Sequence, residues 1–393
     1  MNNNTYLNWP LMENNITDDD LNVLIDFLKT KPRLTQSSNV QAFEREWSQW
    51  LGVKHSVYVN SGASANFITI GVLKALYGTG QIIVPTLTWV SDIISVIYHG
   101  FEPVFVDIDP RNLCMDTQQV IDNLNADTKA VFLTHVQGFN GVCEHLLSVL
   151  REKNIPLIED VCESHGATFD GEKLGNFSLI SNFSFYFAHH LSTIEGGMVC
   201  TNDPEIYDIV RMFRSHGMVR EATDTALKEK YTNRYKDLNP DFIFAYPALN
   251  MRNTEIGAVL GCNQLKRLDA NNKKRQNNFK IFLENLDGNK YRTDFDLEGS
   301  CNYAFNLVIK KPDPEFRDKV ENALREAGIE FRRGSSGGGN QLRQPYLKNI
   351  IADGFWEKFP QVEHIHFYGY YIGNYPDLER EKILSLCDLL NSL

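Results

Sequence analysis

Residues 56–85 read SVYVNSGASANFITIGVLKALYGTGQIIVP. The segment starts with a short β-branched and aromatic run, continues through small polar residues into a helical pattern, and ends in a second β-branched run. This order predicts a strand, a crossover helix and a parallel strand. If the unit belongs to a parallel sheet, further strands and helices should alternate around it.

The same alternation continues to about residue 200. Runs with strand composition occupy residues 56–59, 81–85, 103–108, 130–136, 156–161, 183–187 and 197–201. Amphipathic stretches such as CEHLLSVLREK (143–153) separate several of these runs. The pattern predicts an α/β fold with a seven-stranded, mostly parallel sheet and helices on both faces. Ligands bind such sheets at the carboxyl ends of the strands.

Beyond Asn250 the sequence pattern changes. Residues 254–286 predict one long helix or two joined helices, followed by the strand-like NYAFNLVIK (302–310) and a helix at about 314–327. We therefore predict two domains. An N-terminal arm and the large α/β domain span residues 1–250, and a connecting helix and a smaller α+β C-terminal domain span 251–393.

Composition narrows the functional classes. The net charge of −11 over 393 residues disfavours non-specific binding to nucleic acid or to an anionic membrane. The start of the chain lacks a basic segment followed by an apolar one, and no apolar run approaches the ~18 residues of a membrane span. The seven cysteines are scattered, without a CxxC pair. We expect reduced thiols, no metal centre and a cytoplasmic protein.

Small residues after the first strand could bind an anion. Asn60–Asn66 (NSGASAN) stands where a strand passes into a helix, so several backbone amides and hydroxyls of its small residues could face an anion, which the helix dipole also favours. The alternative is that Ser61 is a plain helix cap.

Two further residues follow predicted strands. Trp89 is either a core residue or the stacking partner of a flat aromatic ligand. Asp160 follows an apolar run and needs a cationic partner, which could be a salt bridge or a protonated ligand nitrogen.

A pair of histidines lies in FAHHLSTIEGGMV (187–199). Adjacent residues in an extended run point to opposite sides, so His189 and His190 would be poor joint metal ligands. A buried, hydrogen-bonded structural role for one or both histidines stays open.

The order and spacing of these segments resemble the DegT/DnrJ/EryC1/StrS sugar aminotransferase family. The resemblance runs nearly end to end through QAFEREWSQWLGVKHSVYVNSGASAN, VPTLTWVSD, VFVDID, LIEDVCESHGA, SFYFAHHLSTIEGG and LNMRNTEIGAVLG. It implies the fold type I of pyridoxal phosphate (PLP)-dependent transferases, and PLP or pyridoxamine phosphate (PMP) as cofactor.

His189 occupies a distinctive position in this resemblance. The family has a lysine that bonds covalently to PLP six residues before the Glu of Glu-Gly-Gly, and here that position is His189. The histidine places the chain in a small branch of the family. It implies a non-covalently bound cofactor and a catalytic role for His189 in moving protons.

The resemblance also implies the other cofactor contacts and a homodimer with a shared active site. Gly62, Ala63 and Ser184 would bind the phosphate, Asn250 would reach it from the second subunit, Trp89 would stack on the ring, Asp160 would hold the pyridine nitrogen, and Glu163 would lie beside the ring hydroxyl. The family usually has Gln at position 163.

Residues 330–343, EFRRGSSGGGNQLR, should face the sugar. Arg332, Arg333 and Arg343 suit an anionic acceptor, although a solvated basic turn is the alternative.

The resemblance implies L-glutamate as amino donor and a carbonyl-bearing sugar as acceptor. The expected reaction is transamination of an oxo-sugar acid, 8-oxo-Kdo to 8-amino-3,8-dideoxy-manno-octulosonate, in lipopolysaccharide biosynthesis. The alternative reaction is 3-dehydration of GDP-4-keto-6-deoxy-D-mannose, and a more remote alternative is a non-catalytic PLP-binding sensor.

Overall fold

The computed structural model describes residues 6–393. Its strands, in chain order, are β1 (His55–Val59), β2 (Gln81–Pro85), β3 (Glu102–Val106), β4 (Thr128–Thr134), β5 (Leu157–Asp160), β6 (Thr168–Phe169), β7 (Glu172–Lys173), β8 (Ile180–Ser184), β9 (Gly197–Thr201), β10 (Ala304–Val308), β11 (Phe331–Arg333) and β12 (Gly369–Gly373).

The helices alternate with the strands through the first half of the chain. They are α1 (Asp18–Lys29), α2 (Ser38–Leu51), α3 (Gly62–Tyr77), α4 (Val90–Tyr98), α5 (Thr117–Asn123), α6 (Glu144–Lys153), α7 (Pro204–Arg214), α8 (Thr225–Arg234), α9 (Glu255–Asn285), α10 (Pro314–Glu326), α11 (Pro360–Tyr368) and α12 (Arg380–Asn391).

Seven strands form one sheet in the order β1-β9-β8-β5-β4-β2-β3. Six of them agree with the strands predicted from the sequence to within two residues at each end, and the seventh, β8, lies earlier than predicted. The pairs from β8 to β3 are parallel, and β9 runs antiparallel to both of its neighbours. The α/β fold with a mostly parallel sheet is therefore confirmed.

Side chains that alternate along the strands build a core on each face of the sheet. Ile82 and Val84 of β2 join a cluster that includes residues of α3, α4 and α7, whereas Ile83 between them joins a cluster with α2 and α6. Period-two alternation sends neighbouring side chains to opposite faces. Both faces are covered by helices, as predicted.

The strand predicted over residues 183–187 is misplaced. β8 ends at Ser184, and the chain then turns back on itself: Phe185 N–H donates to the carbonyl of Gly196, and Thr193 N–H donates to that of Phe185. The prediction that His189 and His190 stand in an extended run is therefore wrong. The local sequence is apolar because Phe185 packs in the core, not because the strand continues.

The C-terminal part contains a second, smaller sheet. Residues 254–286 form the single helix α9, and β10, β12 and β11 form a three-stranded sheet after it. The N-terminal arm lies against this part, since Leu7 N–H donates to the Ala327 carbonyl and Trp9 Nε1 to that of Gly373. The proposed domain boundary at residue 250 remains a prediction.

None of the helices within residues 6–393 is both long enough and apolar enough to cross a membrane.

Candidate active site

The predicted anion cradle lies at the carboxyl ends of β1 and β8. The Ser61 hydroxyl accepts from Ser64 N–H at 3.0 Å and caps α3, so the capping interpretation is correct for Ser61. Gly62 packs directly on Ser184, because a Cβ on Gly62 would come within 2.6 Å of the Ser184 Cβ. The first turn of α3, with Gly62 and Ala63, therefore meets Ser184 where the helix dipole favours an anion. This arrangement fits a phosphate group.

Trp89 lies beside the carboxyl end of β2. Its side chain is 57% exposed, which excludes the core interpretation. It precedes α4 as the N-cap residue. An exposed indole at the carboxyl edge of the sheet offers a face on which an aromatic ring can stack.

Asp160 ends β5 and is only 3% exposed. Its Oδ2 accepts from Asn66 Nδ2 at 2.8 Å, and its Oδ1 accepts from Cys162 N–H at 2.8 Å. Among the residues that the structure describes, no Lys or Arg forms an ion pair with it, so the structural salt bridge considered above is not formed. A buried carboxylate with neutral donors alone fits a protonated ring nitrogen.

Glu163 is held from two distant parts of the chain. Its Oε2 accepts from Gln137 N–H, and its Oε1 accepts from the Ser336 hydroxyl, both at 2.8 Å. Burial raises the pKa of Glu163 to about 7, although both hydrogen bonds oppose the shift. Glu163 can therefore gain or lose a proton near neutral pH.

His189 lies in the turn after β8, where its carbonyl accepts from Asn15 Nδ2 at 2.5 Å. Its Nδ1 is buried and has no hydrogen-bond partner among the described residues. The imidazole faces the rings of Tyr303 and Tyr186, with centroids 5.7 and 6.1 Å away. Burial lowers the pKa of His189 to about 4, and nearby Asp160 partly opposes this shift. The imidazole is therefore neutral at pH 7 and has a free lone pair, as a general base requires.

His190 has a different role in the same turn. It is buried, and its Nε2 lies 2.9 Å from the Cys301 carbonyl, so this nitrogen carries the hydrogen. Its ring packs 5.3 Å from that of His165, which is also buried. His190 therefore tethers the turn to the segment before β10. Within residues 6–393, no group of three His, Cys, Asp or Glu side chains is arranged to hold a metal ion.

The three arginines of the loop have different partners. Arg343 forms a bidentate pair with Glu363, at 2.8 and 2.5 Å, and Arg333 lies 3.3 Å from Glu321. Arg332 forms no ion pair with any described residue, and its Nη1 donates only to the Phe331 carbonyl. Arg332 is therefore the one of the three whose charge is not neutralised by a carboxylate.

Strand register decides where Arg332 points. It lies opposite Tyr371 on β12, whose ring is 6.4 Å from that of Tyr303, which in turn contacts His189. Arg333 lies opposite Tyr370, whose hydroxyl donates to Glu321. Neighbouring residues of a strand face opposite sides, so only Arg332 shares a face with the tyrosines beside His189.

Asn250 is exposed, and its Oδ1 accepts from Arg252 N–H and Nε. No described contact joins its side chain to Gly62 or Ser184 of the same chain. The expectation that Asn250 serves a second subunit remains a prediction.

Several residues near the site were missed from the sequence. Gln137 follows β4 in a left-handed conformation (φ 55°), and its Nε2 lies 3.4 Å from the Tyr303 hydroxyl. Asn66 Nδ2 donates to both Asp92 and Asp160 beneath the sheet edge. Asn66 stands inside the small-residue motif and could have been suspected, but Gln137 and Asp92 carry no comparable local signal.

Comparison with known proteins identifies the family of the chain. The profile of the DegT/DnrJ/EryC1/StrS aminotransferase family matches residues 14–390. A GDP-4-keto-6-deoxy-D-mannose 3-dehydratase from Yersinia pseudotuberculosis is 29% identical, over 98% of this chain and 98% of the relative. A GDP-perosamine synthase from Escherichia coli O157:H7 is 24% identical, over 97% of each chain.

A solved structure shows the same fold. The E. coli GDP-4-keto-6-deoxy-D-mannose-3-dehydratase with bound hydrated PLP superposes with a TM-score of 0.86 at 27% identity, covering 98% of this chain and 99% of the other. The likeness therefore extends over the whole architecture, including both sheets.

Proposed function

The chain belongs to the DegT/DnrJ/EryC1/StrS aminotransferase family, and we propose that it transfers the amino group of L-glutamate to an anionic oxo-sugar. The expected acceptor is 8-oxo-Kdo, which would give 8-amino-3,8-dideoxy-manno-octulosonate for lipopolysaccharide biosynthesis. The observation that carries the proposal is the neutral, half-buried His189, which has an unpartnered Nδ1 where the family has a lysine.

The family's cofactor fits the residues present. When bound, PLP supplies a carbonyl that accepts an amino group and a ring that withdraws electrons from the reacting carbon. The Gly62–Ser184 cradle would bind its phosphate, Trp89 would stack on its ring, and Asp160 would hold its nitrogen. Because an imidazole does not replace the lysine's covalent bond, these contacts must supply all of the affinity.

His189 would carry the protons of both half-reactions. A neutral imidazole can accept a proton on its unprotonated ring nitrogen and later return it. A histidine already protonated at pH 7 could not act as a base. The Tyr303 and Tyr186 rings restrict its orientation. General acid–base catalysis of this kind contributes about 10²- to 10⁴-fold to rate.

Arg332 supports an anionic acceptor. A single guanidinium without a carboxylate partner, on the strand face that holds Tyr371, can bind a carboxylate through two parallel hydrogen bonds. Arg333 and Arg343 already bind protein carboxylates. Of the three loop arginines, the one without a carboxylate partner among the described residues matches the single carboxylate of a sugar acid.

The names of the similar proteins favour a second candidate, 3-dehydration of GDP-4-keto-6-deoxy-D-mannose. In that reaction His189 would move the same protons, but the hydroxyl on the carbon next to the sugar's reacting carbon would leave as water. In the transaminase the sugar keeps that hydroxyl and gains the amino group. The two candidates differ in product and not in the base that they need.

Product analysis separates the candidates. PMP-loaded protein would be incubated with 8-oxo-Kdo or with GDP-4-keto-6-deoxymannose, and the products identified by mass spectrometry. An amino sugar from the first substrate supports our proposal, whereas a dehydrated product from the second would overturn it in favour of the dehydratase. If glutamate gives no 2-oxoglutarate with PLP-loaded protein, a sensor role alone would remain.

We further propose a cytoplasmic homodimer in which Asn250 completes the partner's phosphate site. Phe242, Phe244 and Leu249, in the segment that leads to Asn250, are more than half exposed in the single chain, as expected of a surface covered by a second copy. Sedimentation equilibrium measures the association state, and a monomer at micromolar concentration would contradict the proposal.

A further inference from the structure

A closed triangle of oxygen atoms lies beneath the site. Asp92 in the first turn of α4 is fully buried. Its Oδ2 is 2.5 Å from Thr88 Oγ1 and 2.6 Å from Thr134 Oγ1, and the two threonine oxygens are 2.8 Å apart. All three separations are hydrogen-bond distances.

Counting hydrogens determines the state of Asp92. Each of the three contacts needs one hydrogen between its oxygens, and each threonine hydroxyl has only one. Neither hydroxyl has another partner among the described residues. If Asp92 were ionised, both hydroxyls would donate to it and the Thr88–Thr134 contact would have none. A protonated Asp92 supplies the third hydrogen and closes the ring.

The other oxygen of Asp92 connects it to Asp160. Asn66 Nδ2 is 2.6 Å from Asp92 Oδ1 and 2.8 Å from Asp160 Oδ2, with Ser91 Oγ at 3.1 Å. The amide therefore donates to both carboxyl groups. Two buried carboxyl groups that share one amide donor repel each other when both are ionised, which favours a proton on one of them.

Among the described residues, no cation faces Asp92. The titratable groups that face it are Asp160, Cys162 and Tyr346, none of which is positively charged. Burial and then the charge of Asp160 raise the pKa of Asp92 well above its usual range, in agreement with the hydrogen count.

We propose that Asp92 is a positioning residue that stays a neutral carboxylic acid and, through Asn66, leaves Asp160 as the anion that faces the cofactor nitrogen. The proposal rests on the PLP site and not on the identity of the sugar. Asp160 keeps its charge because the proton of the pair is held in the triangle on Asp92. The Asn66 amide then fixes the orientation of the Asp160 carboxylate.

Infrared spectroscopy of the cofactor-free protein tests the protonation directly. The difference spectrum between wild type and Asp92→Asn at about pH 7 should contain the C=O band of a protonated carboxylic acid. The carboxyl band of Glu163 is present in both proteins and therefore cancels in the difference spectrum. Carboxylate bands in its place would overturn the proposal. If the variant does not fold, the acid band is followed from about pH 6 to 9 in Glu163→Gln, where the Glu163 carboxyl is absent; loss of the remaining band near pH 6 would contradict us.

Cofactor binding tests the positioning role. Asp92→Val removes both the acid proton and the acceptor of Asn66, and we expect the Kd for PMP to rise about 10-fold. Asp92→Asn keeps a neutral group with a donor and an acceptor and should restore most of this loss. An Asn variant as weak as Asp160→Asn would show that a charge at Asp92 is needed. Neither experiment requires glutamate or sugar, so they stand apart from the test of the proposed function.

Discussion

The hydroxyl of Ser336 donates a hydrogen bond of 2.8 Å to Glu163 Oε1, although 173 residues separate them along the chain. Glu163 follows β5 in the large sheet, and Ser336 belongs to the glycine-rich segment after β11. The next residue, Gly337, has φ +59°, and a Cβ there would lie 2.0 Å from the Thr88 carbonyl oxygen. Glycine thus allows this segment to close onto the edge of the sheet beside Trp89.

Glu163→Gln should change how stability depends on pH. The folded-state pKa of about 7 lies above the ordinary value of 4.5, so folding favours the protonated acid. The stabilisation that Glu163 contributes to the folded state is therefore present at low pH. It is lost as pH rises from about 4.5 to 7, which lowers the free energy of unfolding by up to ~3 kcal/mol. The glutamine variant should lack this loss. Urea unfolding at several pH values measures the difference.

Ser336→Ala is the companion to that experiment. Because the hydroxyl stabilises the ionised form, its removal should raise the pKa of Glu163 and extend the loss of stability above pH 7. Ser335→Ala is the control, since that hydroxyl contacts Asn306 instead. Equal pH profiles for both serine variants would show that the hydrogen bond does not influence Glu163.

His189→Lys should capture PLP covalently. The variant restores the residue type that the family has at this position, and the amine would form a link that borohydride reduces to a stable bond. Mass spectrometry should show the added cofactor on the peptide that contains residue 189. His190→Lys, one position away but turned toward Cys301, should not be labelled. Free PLP in the first variant would show that the wrong histidine has been chosen.

Arg332→Ala should weaken binding of the sugar. Loss of one charged bidentate contact, about 1.5–3 kcal/mol, predicts a KM for the sugar about 10- to 100-fold higher, with a smaller effect on kcat. Arg333→Ala and Arg343→Ala remove ion pairs with Glu321 and Glu363 and should mainly lower stability. If steady-state kinetics show the largest KM effect in either of these, Arg332 is not the anion contact.

His165→Phe should make the protein less sensitive to acid. Both ring nitrogens of His165 are buried, and the ring packs between Trp47, Phe183 and Phe185. Burial lowers its pKa well below 6.5. Below about pH 6.5 the unfolded chain therefore binds a proton at His165 that the folded protein does not bind, and stability is lost as the pH falls.

The Phe variant should lose less free energy of unfolding between about pH 7 and 5 than the wild type. Urea denaturation at both pH values gives the comparison. His145→Phe on the exposed surface of α6 is the control. An unchanged pH dependence in His165→Phe would indicate that His165 takes up its proton as readily in the folded protein as in the unfolded chain.

The strand pattern of the sheet could be read from the sequence because its strands are short apolar runs between turns. The reading failed at residues 183–187, where Phe183 and Phe185 are both buried but only Phe183 belongs to β8. Local hydrophobicity records burial and does not distinguish a strand from a buried turn. The position of the turn follows from its hydrogen bonds with Gly196.

The sequence alone determined the order and spacing of the motif residues, above all that His189 stands six residues before Glu195 of Glu195-Gly196-Gly197, where the resemblance implies a lysine. The covalent chain fixes this six-residue spacing, so it can be read directly from the sequence.

Only the tertiary structure decided which groups are charged and where they point. Arg332 and Arg333 are neighbours in sequence, but their register with β12 sends them to opposite faces. The neutral state of Asp92 depends on Thr88, Thr134 and Asp160, which three different strand ends bring together. Protonation and orientation depend on burial and on distant neighbours, and these exist only once the chain has folded.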